Sequence, residues 1–287
     1  MFTRLLSLAS SMSIQTWCII IAALTVAVGL SVWLRPRLRR ARAYIKNVCT
    51  CGYLAPPPTA RGLRWLKRTA GVLTFIQVGR IKYIGRENLD LAPGPMIVTP
   101  NHPHWADPGV LALALDRPAR YMAAGGVFKF AWGLGGLVAG PMGAFCVDLD
   151  AGKGGPAREA AVKVLTSGQT LGMFPEGWAY LDGVMGRLKK GAVHIAQEAS
   201  EILQQKTYIV PTFIRYGKYP GSWIRKLPPQ LEYLFVFINF WLYRRGATVV
   251  IGKPIAVTDF PANDDEATEF LRQQIVALDP AGKDGRP

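Results

Sequence analysis

The sequence predicts an α/β fold: a single domain with a largely parallel central sheet flanked by helices, preceded by an N-terminal membrane helix. Short apolar segments with strand-like spacing alternate with longer segments of helical spacing along residues 63–287, the order typical of parallel strands connected by helices. Half of the 287 residues are hydrophobic and only 18% are charged, so the chain can bury a large core and is not disordered.

Positive charge is concentrated at the N-terminal end of the chain. Residues 1–86 contain 14 Lys and Arg side chains and no acidic one, whereas residues 87–287 contain 20 basic side chains and all 19 acidic ones. Residues 87–287, which form most of the predicted domain, are therefore almost neutral. A duplex-binding surface needs Lys and Arg spread over the folded domain, so this distribution excludes a general nucleic-acid-binding protein.

Residues 1–46 are predicted to form a membrane anchor with a basic end. No formal charge occurs from Leu5 to Leu34, and the apolar stretch Trp17–Leu34 spans about 27 Å as a helix, enough to cross a bilayer once. A cleaved signal peptide fits less well, because arginines stand where a small-residue cleavage site would be expected. A membrane hairpin or an interfacial helix remains the alternative. Basic residues follow the apolar stretch at once and predict that the domain lies on the cytoplasmic face: Arg35, Arg37, Arg39, Arg40, Arg42 and Lys46.

Residues 47–62 are predicted to be a linker between the anchor and the domain at 63–287. The run Pro56–Pro58 should make this linker stiff. It also contains Cys49 and Cys51, a lone Cys-x-Cys without the second pair that a zinc site requires. With the other two cysteines far away in sequence, the pattern predicts reduced thiols rather than a disulfide framework.

The elements of the domain can be placed from their apolar periodicity and their end signals. Pro156 at a first helical position and Gly168 beyond the end frame a helix over 157–167. The order of the strands in the sheet does not follow from the sequence. The other predicted strands are 96–99, 143–149, 170–174, 208–214 and 248–251, and the other predicted helices are 108–115 and 189–205.

A histidine and an aspartate flank the turn between the strand at 96–99 and the helix at 108–115. His102 and Asp107 are separated by four residues, and an imidazole beside a carboxylate gains a fixed tautomer and a stabilised cation. Such a pair can act as a general base on a substrate hydroxyl. The alternatives are structural: His102 caps a helix, or Asp107 is an N-cap before Pro108. His104 invites a zinc interpretation, but Ala106 stands where such a site needs an acid, so no metal is expected.

Several short motifs accompany this pair, and in this order they resemble the glycerolipid acyltransferases, the family of the lysophosphatidic acid acyltransferases. The resemblance covers about residues 80–257. It implies transfer of a fatty acyl group from a coenzyme A or acyl carrier protein thioester to a lipid hydroxyl, without an acyl-enzyme, a metal or a bound cofactor. The motifs are Asn101-His102, Asp107, Gly143-Ala144-Phe145, Phe174-Pro175-Glu176-Gly177, Lys190-Gly191-Ala192, Val210-Pro211 and Gly252-Lys253-Pro254.

The resemblance assigns roles to individual residues. His102 is expected to be the general base and Asp107 the partner that orients it. Glu176, with Asn101, is expected to bind or position the polar head of the lysolipid acceptor, and Gly177 to allow close backbone approach. The alternative for Glu176 is a carboxylate in a surface turn.

One position departs from the family pattern. Where the family has an Arg thought to hold the acceptor phosphate, the sequence Cys146-Val147-Asp148-Leu149 places a leucine. We expect Lys153, Arg158 or Arg187 to supply the positive charge instead, because phosphate binding needs charge and donors rather than one fixed position. Alternatively, the acceptor is another lysolipid or an amino-acid lipid. A non-catalytic membrane lipid-binding protein of the same fold is the alternative from a different class.

Two further apolar segments each have two interpretations. Trp223–Arg245 contains aromatic residues between basic ones, and its apolar part is too short to cross a bilayer. It forms either an interfacial helix that contacts the bilayer or a buried core helix. The glycine-rich stretch Ala123–Gly143 either walls an acyl-chain channel or packs against the sheet.

Overall fold

The structure is a computed structural model that describes residues 14–56, 60–115, 117–129, 136, 139–147, 155–220, 222–228, 231, 235 and 245–282. The chain divides into two compact units, Met1–Asn47 and Val48–Pro287. The second unit contains the sheet and the predicted site.

A single long helix, α1, runs from Ile14 to Val48. Pro36 lies inside this helix, where its ring removes one main-chain donor. Two side chains of α1 interact one turn apart: the Arg37 guanidinium lies 3.6 Å from the centre of the Trp33 ring and donates to the Trp33 carbonyl at 2.8 Å. Among the residues that the structure describes, no helix is both long enough and apolar enough to cross a membrane.

The described part of the second unit combines helices with one sheet. Three short 3-10 helices, Arg86–Leu91, Ser222–Lys226 and Val257–Asp259, lie between the larger elements. The strands are β1 (Ile81–Ile84), β2 (Met96–Pro100), β3 (Ala119–Ala124), β4 (Ala144–Val147), β5 (Thr170–Gly172), β6 (Tyr208–Tyr216), β7 (Ala247–Ile251) and β8 (Ile255–Ala256). The helices are α2 (Ala60–Val78), α3 (Asp107–Ala114), α4 (Pro156–Thr166), α5 (Gly191–Leu203) and α6 (Asp264–Val276).

The sheet is mostly parallel, as the sequence predicted. Its strand order is β1-β7-β6-β2-β5-β3-β4, with β8 paired to β6. Among the described strands, only the β6–β7 and β6–β8 pairings are antiparallel. β2 lies between β5 and β6 and is buried along its whole length, as expected for a strand with neighbours on both sides and helices on both faces.

The core lies between the sheet and helices α4, α5 and α6. It is built mainly from aliphatic side chains of these helices and of the central strands. Two of the helices begin at residues that commonly start helices. Pro156 occupies the first turn of α4, and the Asn263 side chain accepts the N–H groups of Asp265 and Glu266 at the start of α6. Core members that are fully buried include Ile97, Phe145, Ala161, Val164, Leu165, Leu171, Ala196, Ile209, Leu271 and Ile275.

The segment predicted to be a linker is packed against the domain where the structure describes it. Val48 and Ala55 are buried, and the Gly52 N–H donates to the Cys146 carbonyl at 2.9 Å at the end of β4. Gly52 has a positive φ of 75°, and a Cβ atom there would lie 2.3 Å from the Pro156 carbonyl oxygen. Residues 48–56 are therefore a folded edge of the domain and not a free spacer.

The elements that were not predicted include β3 and α6. β3 runs through Ala119–Ala124, but its alanines carry little hydrophobic signal and lead directly into a glycine-rich stretch. α6 has a charged sequence whose apolar stripe is narrow, with Ala267, Leu271 and Ile275 buried. Both elements are specified by tertiary neighbours more than by their own periodicity.

The two ambiguous apolar segments lie partly outside the described residues. In Trp223–Arg245, the structure describes the 3-10 helix Ser222–Lys226, and the exposed Trp223 packs edge-on against Phe235 with ring centres 5.0 Å apart. In Ala123–Gly143, Phe128 is fully buried and accepts a hydrogen bond at its carbonyl from the Cys49 thiol at 3.6 Å.

Candidate active site

The predicted site residues lie at the carboxyl-terminal edge of the sheet. β2 and β5 are parallel neighbours, with Ile97 opposite Leu171 and Val98 opposite Gly172. The loop that follows β2 therefore meets the loop that follows β5. The first loop carries His102 and Asp107 and the second carries Glu176, so the sheet brings together residues 74 positions apart.

His102 and Asp107 form a hydrogen-bonded pair. Nδ1 of His102 lies 2.8 Å from Oδ2 of Asp107. An ionised carboxylate only accepts hydrogen bonds, so the imidazole donates from Nδ1 and its Nε2 atom is left to accept a proton. The His102 side chain is 17% exposed and the Asp107 side chain is fully buried. The imidazole also stacks on the Phe174 ring at 4.2 Å between centres, which restricts its rotation.

Asp107 accepts three hydrogen bonds inside the protein. Besides His102, the main-chain N–H of His104 donates to Oδ2 at 2.7 Å, and the hydroxyl of Tyr216 donates to Oδ1 at 2.6 Å. Burial raises the pKa of Asp107, while these hydrogen bonds and the nearby His102 oppose that rise. Hydrogen bonds to both oxygens thus fix the orientation of the Asp107 carboxylate.

Glu176 connects the two loops through main-chain hydrogen bonds. Its Oε1 accepts the N–H of His102 at 2.6 Å and its Oε2 accepts the N–H of Gly186. The residue is 3% exposed, and burial raises its pKa despite these two donors. Both oxygens therefore accept hydrogen bonds from the protein's own main chain, and Glu176 fixes the main-chain position of His102.

Asn101, which was predicted to bind substrate, is buried and hydrogen-bonded to the main chain of β6. Its amide nitrogen donates to the Ile214 carbonyl at 3.0 Å, and its amide oxygen accepts the Ile214 N–H at 2.6 Å. The side chain is 1% exposed. It continues the hydrogen bonding between β2 and β6 beyond the end of β2, which sets the direction in which the chain enters His102.

Gly177 is required by the backbone and by a neighbouring lysine. Its φ is +70°, a conformation that disfavours side chains, and a Cβ atom there would lie 2.8 Å from Cε and 2.9 Å from Nζ of Lys189. The Lys189 side chain thus lies across Gly177, and the Lys189 N–H donates to the Pro175 carbonyl at 2.8 Å. This lysine is exposed and was not among the predicted site residues.

The predicted phosphate-binding cations differ in their surroundings. Arg187 is exposed, and within the described ranges it has neither a hydrogen bond nor an ion pair. Arg158 on α4 is paired with Glu198 on α5 at 2.7 Å, so a carboxylate already compensates its charge. Lys153 and Leu149 lie outside the described residues.

His104 belongs to the protein interior. It is 1% exposed, and its Nδ1 accepts the Ala106 N–H at 3.1 Å, which leaves the proton of the neutral ring on Nε2. Burial first, and then the neighbouring His102, lower the pKa of His104 well below its ordinary value. Within the described part of the chain, no group of three or more His, Cys, Asp or Glu side chains is placed to hold a metal ion.

Three tyrosines complete the site and were missed from the sequence. Tyr216 binds Asp107, the Tyr219 hydroxyl accepts the Tyr216 N–H at 2.8 Å, and the Tyr180 N–H donates to the His102 carbonyl at 2.7 Å. Two glycines in the sequence lie close to these rings in the structure. A Cβ atom at Gly183 would lie 2.6 Å from a ring carbon of Tyr219, and one at Gly186 would lie 2.1 Å from a ring carbon of Tyr180. Glycine there lets each ring pack against main chain.

A partly exposed imidazole held by a buried carboxylate at the carboxyl-terminal edge of an α/β sheet is an arrangement that can deprotonate a substrate hydroxyl. Residues 80–215 match the Acyltransferase family model. The fold is similar to the crystal structure of the 1-acyl-sn-glycerophosphate (LPA) acyltransferase PlsC from Thermotoga maritima, with a TM-score of 0.55, 18% sequence identity, and coverage of 77% of this chain and 80% of that chain. No curated protein matches the sequence.

Residues 80–215 therefore form an acyltransferase domain, in line with the family that the motifs resemble, and the chain is an acyltransferase.

Proposed function

We propose that the protein transfers a fatty acyl group from a coenzyme A or acyl carrier protein thioester to the hydroxyl of a lysophosphatidic acid-type acceptor. The observation that carries this proposal is the His102–Asp107 pair at 2.8 Å, with the imidazole partly exposed and the carboxylate fully buried. The similar fold of a 1-acyl-sn-glycerophosphate acyltransferase, an enzyme that acts on this class of acceptor, supports the same choice.

The pair can carry the reaction without a covalent intermediate on the protein. Nε2 of His102 takes the proton of the acceptor hydroxyl as its oxygen attacks the thioester carbonyl carbon. The carbon–sulfur bond then breaks, and the imidazolium returns the proton to the leaving thiolate. The products are an ester and a free thiol. Asp107 stabilises the imidazolium that forms between these two transfers.

Exposed cations on the loop that carries Glu176 support a phosphorylated acceptor. Arg187 and Lys189 lie on the loop between Glu176 and α5, and both are exposed. Because both side chains are accessible to solvent, either cation can bind a phosphate dianion. An acceptor without phosphate, such as another lysolipid or an amino-acid lipid, is the second candidate, and it is favoured by Leu149 at the position where the family has an arginine.

We propose that the protein works at a membrane surface. The uncharged stretch Leu5–Leu34 with the basic residues after it supports an N-terminal anchor, with the catalytic domain on the cytoplasmic face. Exposed apolar side chains on α2 add a second apolar surface: Val72, Phe75 and Ile76 are 60%, 53% and 47% exposed. An interfacial helix in place of a spanning one is the alternative for the anchor.

An acceptor panel tests the proposal. The purified full chain, in mixed vesicles with one labelled acyl-CoA, should acylate lysophosphatidic acid faster than phosphate-free or choline-bearing lysolipids. The same panel with acyl carrier protein thioester identifies the donor. A preference for a phosphate-free acceptor would replace the first candidate by the second.

The variant His102→Ala tests whether the imidazole is the base. We expect the rate to fall at least about a thousandfold while binding to vesicles stays unchanged. Unchanged turnover would contradict the base assignment. Binding without any turnover in the wild-type protein, with every acceptor and donor, would instead support the non-catalytic lipid-binding alternative.

A further inference from the structure

Tyr216 is the last residue of β6, and its hydroxyl reaches the catalytic carboxylate from the side opposite to His102. The phenol oxygen lies 2.6 Å from Oδ1 of Asp107, while His102 lies against Oδ2. Tyr216 is 3% exposed, so water does not compete for this bond. A hydroxyl that faces an ionised carboxylate must donate.

Both the main chain and the ring of Tyr216 have contacts within the protein. The main-chain N–H of Tyr216 donates to the Tyr219 hydroxyl at 2.8 Å, and the Tyr216 ring packs against the His104 ring with centres 5.3 Å apart. Its strand is paired with β7 on one side and with β2 on the other. The sheet therefore fixes the main chain of Tyr216, and the His104 ring restricts the position of the phenol.

We infer that Tyr216 is a positioning residue for acyl transfer, whose buried hydroxyl holds Oδ1 of Asp107 and thereby sets the proton affinity of the His102–Asp107 pair. The hydroxyl stabilises negative charge on Asp107. When His102 is a cation, its charge already compensates the Asp107 carboxylate, so the hydroxyl stabilises the carboxylate most when His102 is neutral. The hydroxyl therefore favours the pair with neutral His102, which is the form able to act as a base.

Other titratable groups surround the pair and stay in place when Tyr216 is changed. His104 lies on the same loop, Glu176 comes from the loop after β5, and Tyr219 follows β6. Behind Tyr219, Arg215 and Asp279 form an ion pair at 2.8 Å. Since all of these are common to wild type and variant, a difference between the two reports the Tyr216 hydroxyl.

The test is a Tyr216→Phe variant of the full chain, with two measurements. The first is an NMR titration of the His102 imidazole, assigned by the signal that disappears in His102→Ala. The second is the pH dependence of kcat/KM. This inference depends on the proposed function only for the second measurement, because the NMR titration needs no substrate.

We expect the titration midpoint of His102 to rise by about half to one pH unit in Tyr216→Phe, since the loss of the donor makes the pair hold its proton more tightly. The acid limb of kcat/KM should move to higher pH by the same amount, and kcat should fall about tenfold. Tyr121→Phe is the matched control: Tyr121 is also a buried strand tyrosine, but its hydroxyl has no hydrogen-bond partner among the described residues. Neither measurement should change in that variant.

A second variant keeps the hydroxyl in case Tyr216→Phe does not fold. Site-specific fluorotyrosine at position 216 makes the phenol a stronger donor, so the His102 midpoint should move to lower pH. Midpoints that stay unchanged, or move against these directions, would overturn the inference. An inactive wild-type protein with the expected NMR shifts would refute the proposed function and leave the positioning role of Tyr216 intact.

Discussion

The carboxylate of Glu176 holds the main chain of His102 in place, with 2.6 Å between Oε1 and the His102 nitrogen. Its second oxygen accepts the N–H of Gly186 in the loop before α5. One buried side chain therefore joins the loop after β2 to the loop after β5. The imidazole can be aimed at substrate only while this connection persists, so a residue expected to bind substrate instead controls the geometry of the base.

Replacement of Glu176 by glutamine should damage the site although the side chain keeps its shape. The amide offers one acceptor oxygen and one NH₂ group, so either the His102 N–H or the Gly186 N–H loses its partner. We expect kcat to fall about tenfold to a hundredfold and the thermal midpoint to drop by several degrees. Steady-state kinetics and thermal denaturation measure both.

A matched control for this change is Glu198→Gln, because Glu198 is half-exposed and paired with Arg158 on the helices. That variant should keep its rate and its thermal midpoint. If Glu176→Gln behaved like this control, the two main-chain hydrogen bonds would not be what positions His102.

Replacement of Asp107 by asparagine should remove the negative charge that stabilises the His102 imidazolium. The His104 N–H donates to the same oxygen that faces His102, so the amide oxygen should stay on that side and the NH₂ group should face the Tyr216 hydroxyl, which can accept a hydrogen bond. We expect kcat to fall about a thousandfold with little change in KM. The exposed Asp90, replaced in the same way, should show no loss. A loss in KM alone would contradict the assigned role of Asp107.

Lys189 and Lys190 are adjacent, but they should contribute differently to acceptor binding. Lys190 is paired with Asp265 at 2.9 Å, whereas Lys189 is exposed beside Gly177 and, in the described part of the chain, has no ion-pair partner. In Lys189→Ala we expect the KM for lysophosphatidic acid to rise about fivefold to tenfold, with kcat almost unchanged. Lys190→Ala serves as the control for lost charge.

The acceptor panel extends the Lys189 experiment. Because the effect is electrostatic, the KM for a phosphate-free lysolipid should be the same in Lys189→Ala and in wild type, and added salt should reduce the difference for lysophosphatidic acid. An equal rise in KM for both acceptors would show that Lys189 supports the loop and does not contact phosphate.

Deletion of residues 1–34 should release the protein from membranes only in part. The exposed apolar side chains of α2 and the exposed Trp223 remain in the shortened chain, and their partition into the headgroup region should retain a fraction of it. Vesicle flotation of the full and shortened chains measures this fraction. Complete release after the deletion would exclude a second membrane contact.

The sequence predicted those parts of the fold that rest on local signals. Pro156 and the apolar periodicity placed α4 within one residue at each end, and the apolar runs located β2, β6 and β7. β3 was missed because its alanines have little apolar area, so its burial depends on the strands β4 and β5 beside it. The packing of segment 48–56 against the domain could not be predicted, because its contacts with Cys146 and Pro156 are long-range.

The candidate site shows the same division. His102 and Asp107 could be paired from sequence because a turn of six residues brings them together whatever the rest of the chain does. Glu176, Asn101 and Tyr216 are joined to this turn across β2, β5 and β6, through hydrogen bonds over 74, 113 and 109 positions. Spacing along the chain carries no information on such contacts, so the role expected for Asn101 and Glu176 was substrate binding.

The order of residues along the chain was enough to establish which chemical groups are present and that the N-terminal segment is apolar and then basic. It was also enough to establish the resemblance to one family of acyltransferases. Each of these is a property of residues that are neighbours in the sequence. The packing of the strands was needed to show which polar groups face substrate and which are occupied by the protein, because hydrogen-bond donors and acceptors are assigned to one another only in the folded sheet. That packing makes Asn101 and Glu176 supports of the site and leaves the imidazole of His102 partly open.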